Sequence, residues 1–186
     1  MKLKNSTIAK LSGLSLAAAL MLAAPTAFAS GSHGDGHGEK KAAIGSVGKL
    51  ADVDRTIEIK MYDNYYEPEN IQIKKGETIR FKITNAGEFV HEFNIGTSAM
   101  HAEHQEEMMM MVEHGVLEAD KINHAMMKMD MGGGKTMDHS DPNSVLLEPT
   151  KSAEIIWSFT DTAKLEFACN VPGHYDSGMM GNVTFN

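Results

Sequence analysis

Three residues near the C-terminal end of this chain could act together on a metal ion. They are Cys169, His174 and Met179, spaced at intervals of five in Cys169-Asn-Val-Pro-Gly-His174-Tyr-Asp-Ser-Gly-Met179. Cys169 is the only cysteine, so it has no partner for an internal disulfide. A thiolate and a thioether are soft donors that suit Cu(I), and imidazole suits either copper oxidation state. The trio therefore favours copper. Two imidazoles and a thiolate in a trigonal plane, with a weak axial thioether, make an electron-transfer site, which leaves one imidazole to be found elsewhere. His91 is the best candidate, because it lies in a strand-like segment between Val90 and Phe93 while other histidines occupy flexible stretches. Met180 competes with Met179 for the axial place. Spacing favours Met179, and side chains alternate along a strand, so only one of the two should face the metal.

These donors need rigid elements behind them. Thr56–Met61, Asn70–Lys74 and Thr78–Thr84 alternate polar and apolar residues with period two. Phe89–Ile95 follows the Asn85-Ala86-Gly87 turn. Strands resume at 144–147, 153–159 and 164–169, and 181–185 closes the chain. Seven to eight short strands separated by turn residues predict an all-β sandwich with one face of each sheet buried. Cys169 would end one strand, and His174 and Met179 would occupy the loop before the last.

Between these two groups of strands the pattern changes. Residues 98–114 and 120–131 are helix-compatible, with Ser98 and Asp120 as N-caps and Gly115 and Gly132–Gly134 as stops. An insertion over about 98–142, a helical hairpin or mobile loop, follows from this. It exceeds an ordinary connection in length, which points to function or disorder. Residues 100–137 hold ten of the fifteen methionines, accompanied by His101, His104, His114 and His124, with His139 nearby. On a helix His101, His104, Met108 and Met111 share one face, and His124, Met127 and Met131 make a second stripe. A helical methionine stripe is more often packing than a metal site. Here Leu, Ile and Val are scarce and histidines recur, so the expectation is extra Cu(I) capture by some of these seven residues. Gly134-Lys135-Thr136 imitates the end of a phosphate loop, but Met129 stands where its first glycine should be, and no strand precedes it.

The N-terminal stretch reads as a targeting segment. Lys2, Lys4 and Lys10 precede an apolar run over 11–24, and Ala27-Phe28-Ala29 matches a cleavage pattern, so residues 1–29 are expected to be removed after Ala29. The run is too short to span a membrane. Residues 30–52 follow as a flexible Gly/His-rich tail with at most weak metal capture at His33 and His37. Residues 53–186 then form one domain with the insertion inside it. Loss of the three lysines takes the formal net charge from −8 to −11, which argues against nucleic acid or an anionic membrane surface as partner. The expected product is an exported, periplasmic monomer, and its lone thiol would be a liability in an oxidising compartment unless buried or occupied.

Val90-His91-Glu92-Phe93, followed late in the chain by Cys169-x4-His174-x4-Met179, resembles the cupredoxins, the blue-copper family. The intervals in the loop are similar to those of rusticyanin, and residues 66–77 resemble the entry strands of small exported cupredoxins. The resemblance covers residues 53–95 and 144–186 and implies a Greek-key sandwich holding one mononuclear copper on His91, Cys169, His174 and Met179. Glu92, Asn170 and Tyr175 are candidates to orient those ligands. With its Met/His-rich insertion and His-bearing tail, the chain is most similar to the periplasmic copper-tolerance cupredoxins of the CopI type. That likeness implies protection of the cell envelope from excess copper. A one-electron carrier between respiratory proteins, with the insertion docking a redox partner, is the alternative. A cuprous oxidase is the third reading, and nothing else in the chain calls for catalysis.

Overall fold

The structure is a computed structural model that describes residues 44–130, 136–138, 141–160 and 163–186. The targeting segment, His33, His37, Met131, Gly132–Gly134 and His139 lie outside the described residues. The first half of the chain forms β1 (Ser46–Val47), β2 (Arg55–Met61), β3 (Tyr66–Glu67), β4 (Asn70–Ile73), β5 (Thr78–Asn85) and β6 (His91–Gly96). A single α-helix, α1 (Ser98–Glu113), follows among the described residues. The second half contributes β7 (Lys128–Asp130), β8 (Thr136–Asp138), β9 (Ser144–Leu147), β10 (Ser152–Ser158), β11 (Leu165–Ala168) and β12 (Met180–Phe185).

Two five-stranded sheets face each other, in the orders β1-β10-β5-β2-β3 and β4-β12-β11-β6-β9. Both are mixed, because β2 runs parallel to β5 and β12 parallel to β4 while the other pairs are antiparallel. The strands of four residues or more are the ones that alternation predicts. Ile79, Phe81 and Ile83 of β5 and Ile155 and Trp157 of β10 meet Phe93, Ile95, Leu165 and Phe167 from the other sheet in one core. Ser46–Val47 adds an edge to β10 earlier than alternation indicated, held as well by the Trp157 indole N–H, which donates to the Ile44 carbonyl at 2.9 Å.

Two expectations fail. The stretch 120–130 is not a helix: Leu117 and Ile122 form an antiparallel bridge, His124–Met126 is a single 3-10 turn, and Lys128–Asp130 pairs with Thr136–Asp138. The physical reason is tertiary. Val116, Leu117 and Ile122 are buried beside Val90, and Asn123 N–H donates to the Val116 carbonyl, closing a loop that a helix from Asp120 would have to break. The first helix does form, but Thr97 rather than Ser98 caps it, its hydroxyl accepting from Met100 N–H at 3.3 Å. Gly115 follows the helix at φ +70, the left-handed conformation that glycine adopts without strain.

The second failure concerns burial. Alternation predicts one solvated face per sheet, yet β6 and β11 are buried on both faces. Helix α1 packs against both strands and roofs their outer side. The inward positions carry His91, Phe93 and Ile95 on β6, Leu165 and Phe167 on β11, and Cys169 just after it. The outward positions carry Glu92, Asn94, Glu166 and Asn170, a polar layer sealed between sheet and helix.

Candidate metal centre

His91 and Cys169 stand at core-facing positions on neighbouring strands, at the end of the sandwich where the chain between β11 and β12 crosses. That crossing is a series of turns after Ala168. His174 N–H donates to the Val171 carbonyl, Met179 N–H to the His174 carbonyl, and Cys169 N–H to the Met179 carbonyl at 3.1 Å. Gly173 and Gly178 take positive φ of 84 and 95, which keeps the loop tight enough to turn His174 back over Cys169. Met179 is fully buried in the core beneath the loop, whereas Met180 is half-buried and starts β12.

Three donor atoms converge. His91 Nδ1 lies 3.2 Å from His174 Nδ1, Cys169 Sγ 3.3 Å from His174 Nδ1, and Cys169 Sγ 3.9 Å from His91 Nδ1. The centre of such a triangle is about 2 Å from each atom, close to a first-row metal's bond to imidazole or thiolate. The donors therefore fit one small ion of the copper class without backbone movement. Protonation in the metal-free state agrees. Burial lowers both histidines from the usual imidazole value, outweighing Asp63 at His91 and reinforced by His91 at His174. Burial pushes the Cys169 thiol up to about 12, so it holds its proton until something displaces it.

Each donor has an orienting contact. His91 Nε2 donates to Asp63 Oδ1 at 3.0 Å, which leaves Nδ1 unprotonated toward Cys169 and His174. Asp63 also accepts from the Glu88 N–H at 2.8 Å, fixing the carboxylate. Sequence reading missed Asp63, 28 residues upstream in the β2–β3 turn, because no periodicity or spacing marks it. The Glu92 N–H donates to Cys169 Sγ at 3.3 Å. Asn170 Nδ2 donates to Glu92 Oε2 at 2.8 Å, and the Tyr175 hydroxyl donates to Glu166 Oε1 at 2.6 Å. The three residues singled out from sequence as orienting candidates are thus tied into the polar layer beside the donors.

The insertion histidines and methionines divide into two groups. His101, His104, Met108 and Met111 do share the inner face of α1. His101 is fully buried, receives a bond from Asn170 Nδ2 at 3.2 Å and packs its ring 5.9 Å from that of Tyr175. It serves the polar layer. His104, Met108 and Met111 instead border a cleft of about 340 Å³ together with His124, Met127, Glu92 and Asp141. A ring nitrogen of His104 and carboxylate oxygens of Glu107 and Asp141 lie within 4.8 Å of one another beside it. Of the second predicted stripe, His124 and Met127 reach the cleft from a turn and not a helix, and Met131 lies outside the described residues.

Among the described residues, no helix is long and apolar enough to cross a membrane. A family model for the cupredoxin-like domain matches residues 14–112, more than half of the chain. The chain is 46% identical over 154 residues to the copper-resistant cuproprotein CopI of Pseudomonas aeruginosa, covering 80% of this chain and 83% of that protein. It is 33% identical over 172 residues to the protein of the same name in Rubrivivax gelatinosus, covering 89% and 90%. Auracyanin B superposes with a TM-score of 0.54 at 13% identity, over 76% of this chain and 96% of that one, a likeness of fold alone. The family model and this kinship agree: the chain belongs to the cupredoxin family and, within it, to the CopI type.

Proposed function

We propose that this protein is a periplasmic copper-tolerance cupredoxin in which His91, Cys169, His174 and Met179 would hold one copper ion. The observation that carries the reading is the convergence of two imidazole nitrogens and one thiol sulfur within 3.9 Å from two segments far apart in the chain, β6 and the β11–β12 crossing. Bound copper would supply a one-electron couple. The chain's own residues supply the rest. Asp63 keeps His91 in the tautomer with a free Nδ1, the Glu92 N–H stabilises negative charge on Cys169 Sγ, and burial of Cys169 and Met179 excludes water. Four protein donors leave no coordination position for a substrate, so the centre suits electron transfer rather than chemistry on a bound molecule.

The cleft under α1 extends this reading. Met108, Met111 and Met127 offer soft thioether donors that need no ionised thiol, and His124 adds an imidazole, a set suited to capturing Cu(I) in an oxidising compartment. The test is copper stoichiometry beside the visible spectrum. The expected result is an intense thiolate-to-copper band that Cys169→Ser abolishes, and more than one copper per chain. Met108→Leu, Met111→Leu and Met127→Leu together, which keep apolar bulk, should return the count to one. A single copper in both forms would refute the cleft's role, and a band surviving in Cys169→Ser would refute the centre. In cells, deletion of the gene should raise copper sensitivity. The alternative is a respiratory one-electron carrier, favoured by the half-buried His174, and loss of respiration without copper sensitivity would select it.

A further inference from the structure

The polar layer beneath α1 contains more than a metal-donor set requires. Glu92 is 2% exposed, and burying a carboxylate is costly unless several donors compensate it. It has them from three elements. His104 Nε2 of α1 donates to Oε1 at 2.9 Å, and the Ser144 hydroxyl of β9 donates to the same oxygen. After β11, Asn170 donates to Oε2 from Nδ2 at 2.8 Å and from its backbone N–H at 3.3 Å. The N–H of the same Glu92 points at Cys169 Sγ. One residue thus has its side chain anchored in the insertion and its backbone on the sulfur. Asn170 closes the ring, being the residue after Cys169 and bonded to both Glu92 and His101 of α1.

We propose that His104, on the insertion helix, is a positioning residue for the copper centre and acts through Glu92. This rests on the copper reading above. His104 touches none of the four donors. Its bond to Glu92 holds that carboxylate against Asn170, so the Glu92 N–H and the strand end carrying Cys169 keep one fixed separation. An N–H aimed at a thiolate draws electron density from sulfur, and hydrogen bonding around this sulfur is among the factors that set the potential of such a centre. Loss of the His104 contact frees Glu92 to turn toward its remaining donors and weakens the N–H bond to sulfur. The insertion is then part of the redox centre's tuning as well as a place of capture.

The experiment compares full-length His104→Ala, His104→Leu, His104→Gln and Glu107→Gln proteins with wild type. Removing the donor (Ala, or Leu with bulk retained) should shift the thiolate-to-copper band and lower the reduction potential. His104→Gln, whose amide can donate to Glu92, should restore much of both. Glu107→Gln removes the negative charge of the other partner of His104, at Nδ1, while its amide oxygen can still accept, and should leave both unchanged. In metal-free protein the Glu92 amide should exchange with solvent faster in His104→Leu than in wild type, a readout independent of copper. Wild-type spectrum and potential in His104→Leu, with helix content retained, would overturn the proposal. Equal shifts in Glu107→Gln would overturn it too, since any change in helix charge would then suffice. If no variant, wild type included, shows a thiolate band while the Glu92 amide still responds, the copper reading fails and the His104–Glu92 linkage stands.

Discussion

Asp63 and His91 form a carboxylate–imidazole pair in which Oδ1 lies 3.0 Å from Nε2, while Nδ1 on the other side of the same ring faces Cys169 and His174. The pair is possible because of Gly87. A Cβ there would collide with Asp63 Oδ1 and come within 2.8 Å of His91 Nε2. Asp63→Ala should therefore weaken copper binding about 10–100-fold, read by competition with a chelator of known affinity. Gly87→Ala should reproduce that loss without touching either residue. Unchanged affinity in both would show that His91 needs no external orientation.

Loading the centre should release a proton from sulfur. Burial raises the Cys169 thiol to about 12 in the metal-free protein, so at neutral pH it is protonated, and thiolate forms only as the metal arrives. Calorimetric titration in buffers of different ionisation enthalpy should show about one proton released per first metal ion. The release should vanish in Cys169→Ser. The metal-free thiol should also react slowly with aromatic disulfides, since it is buried and un-ionised.

The seating of α1 should depend on pH. Burial alone would lower the His104 pKa, but hydrogen bonds and charges from Glu92 on β6 and Glu107 on α1 outweigh it and raise the group to about 9. Asp141 adds a further negative group beside the same cleft. A folded-state pKa above the unfolded value contributes stability that is complete below about 6.5 and lost as pH rises through the folded pKa. Thermal unfolding of the metal-free protein should therefore fall between about pH 7 and 10. His104→Leu should flatten that dependence below about pH 8.5, above which the buried Cys169 thiol, raised to about 12, lowers stability in the same direction. An equal slope in both proteins would place the titration elsewhere.

The methionines of α1 should separate by face. Met108 and Met111 are buried against Val90, Val116, Leu117 and Ile122, whereas Met109 is 47% exposed. Met108→Ala or Met111→Ala should cost about 2–5 kcal/mol in metal-free protein, against about 0.5 kcal/mol or less for Met109→Ala. Denaturant unfolding measures both. A small cost at Met108 and Met111 would mean that the stripe exists for metal alone and not for packing.

Much of the fold was legible in local pattern. Period-two alternation located β2, β4 and β5, and turn residues bounded the other five longer strands, of which β6 and β11 are buried on both faces. The spacing from Cys169 to Met179 picked out Cys169 and His174, which the structure brings together with His91, since a single loop carries both and its glycines permit the turns. The second stripe of the insertion was not legible as drawn: helix propensity over 120–131 lost to the burial of Val116, Leu117 and Ile122 beside Val90, a contact between segments far apart in the chain.

What the sequence determined by itself, then, is the donor chemistry, the sandwich and the kinship of the chain. Residue types and short spacings encode these directly. Only the tertiary structure decided that Asp63 backs His91, that His101 leaves the cleft for the polar layer, and that Glu92 joins His104 to Cys169. Such pairs lie 28, 69 and 77 residues apart or cross from one element to another. No periodicity can bring them together; the roofing of β6 and β11 by α1 and the turn between β2 and β3 do.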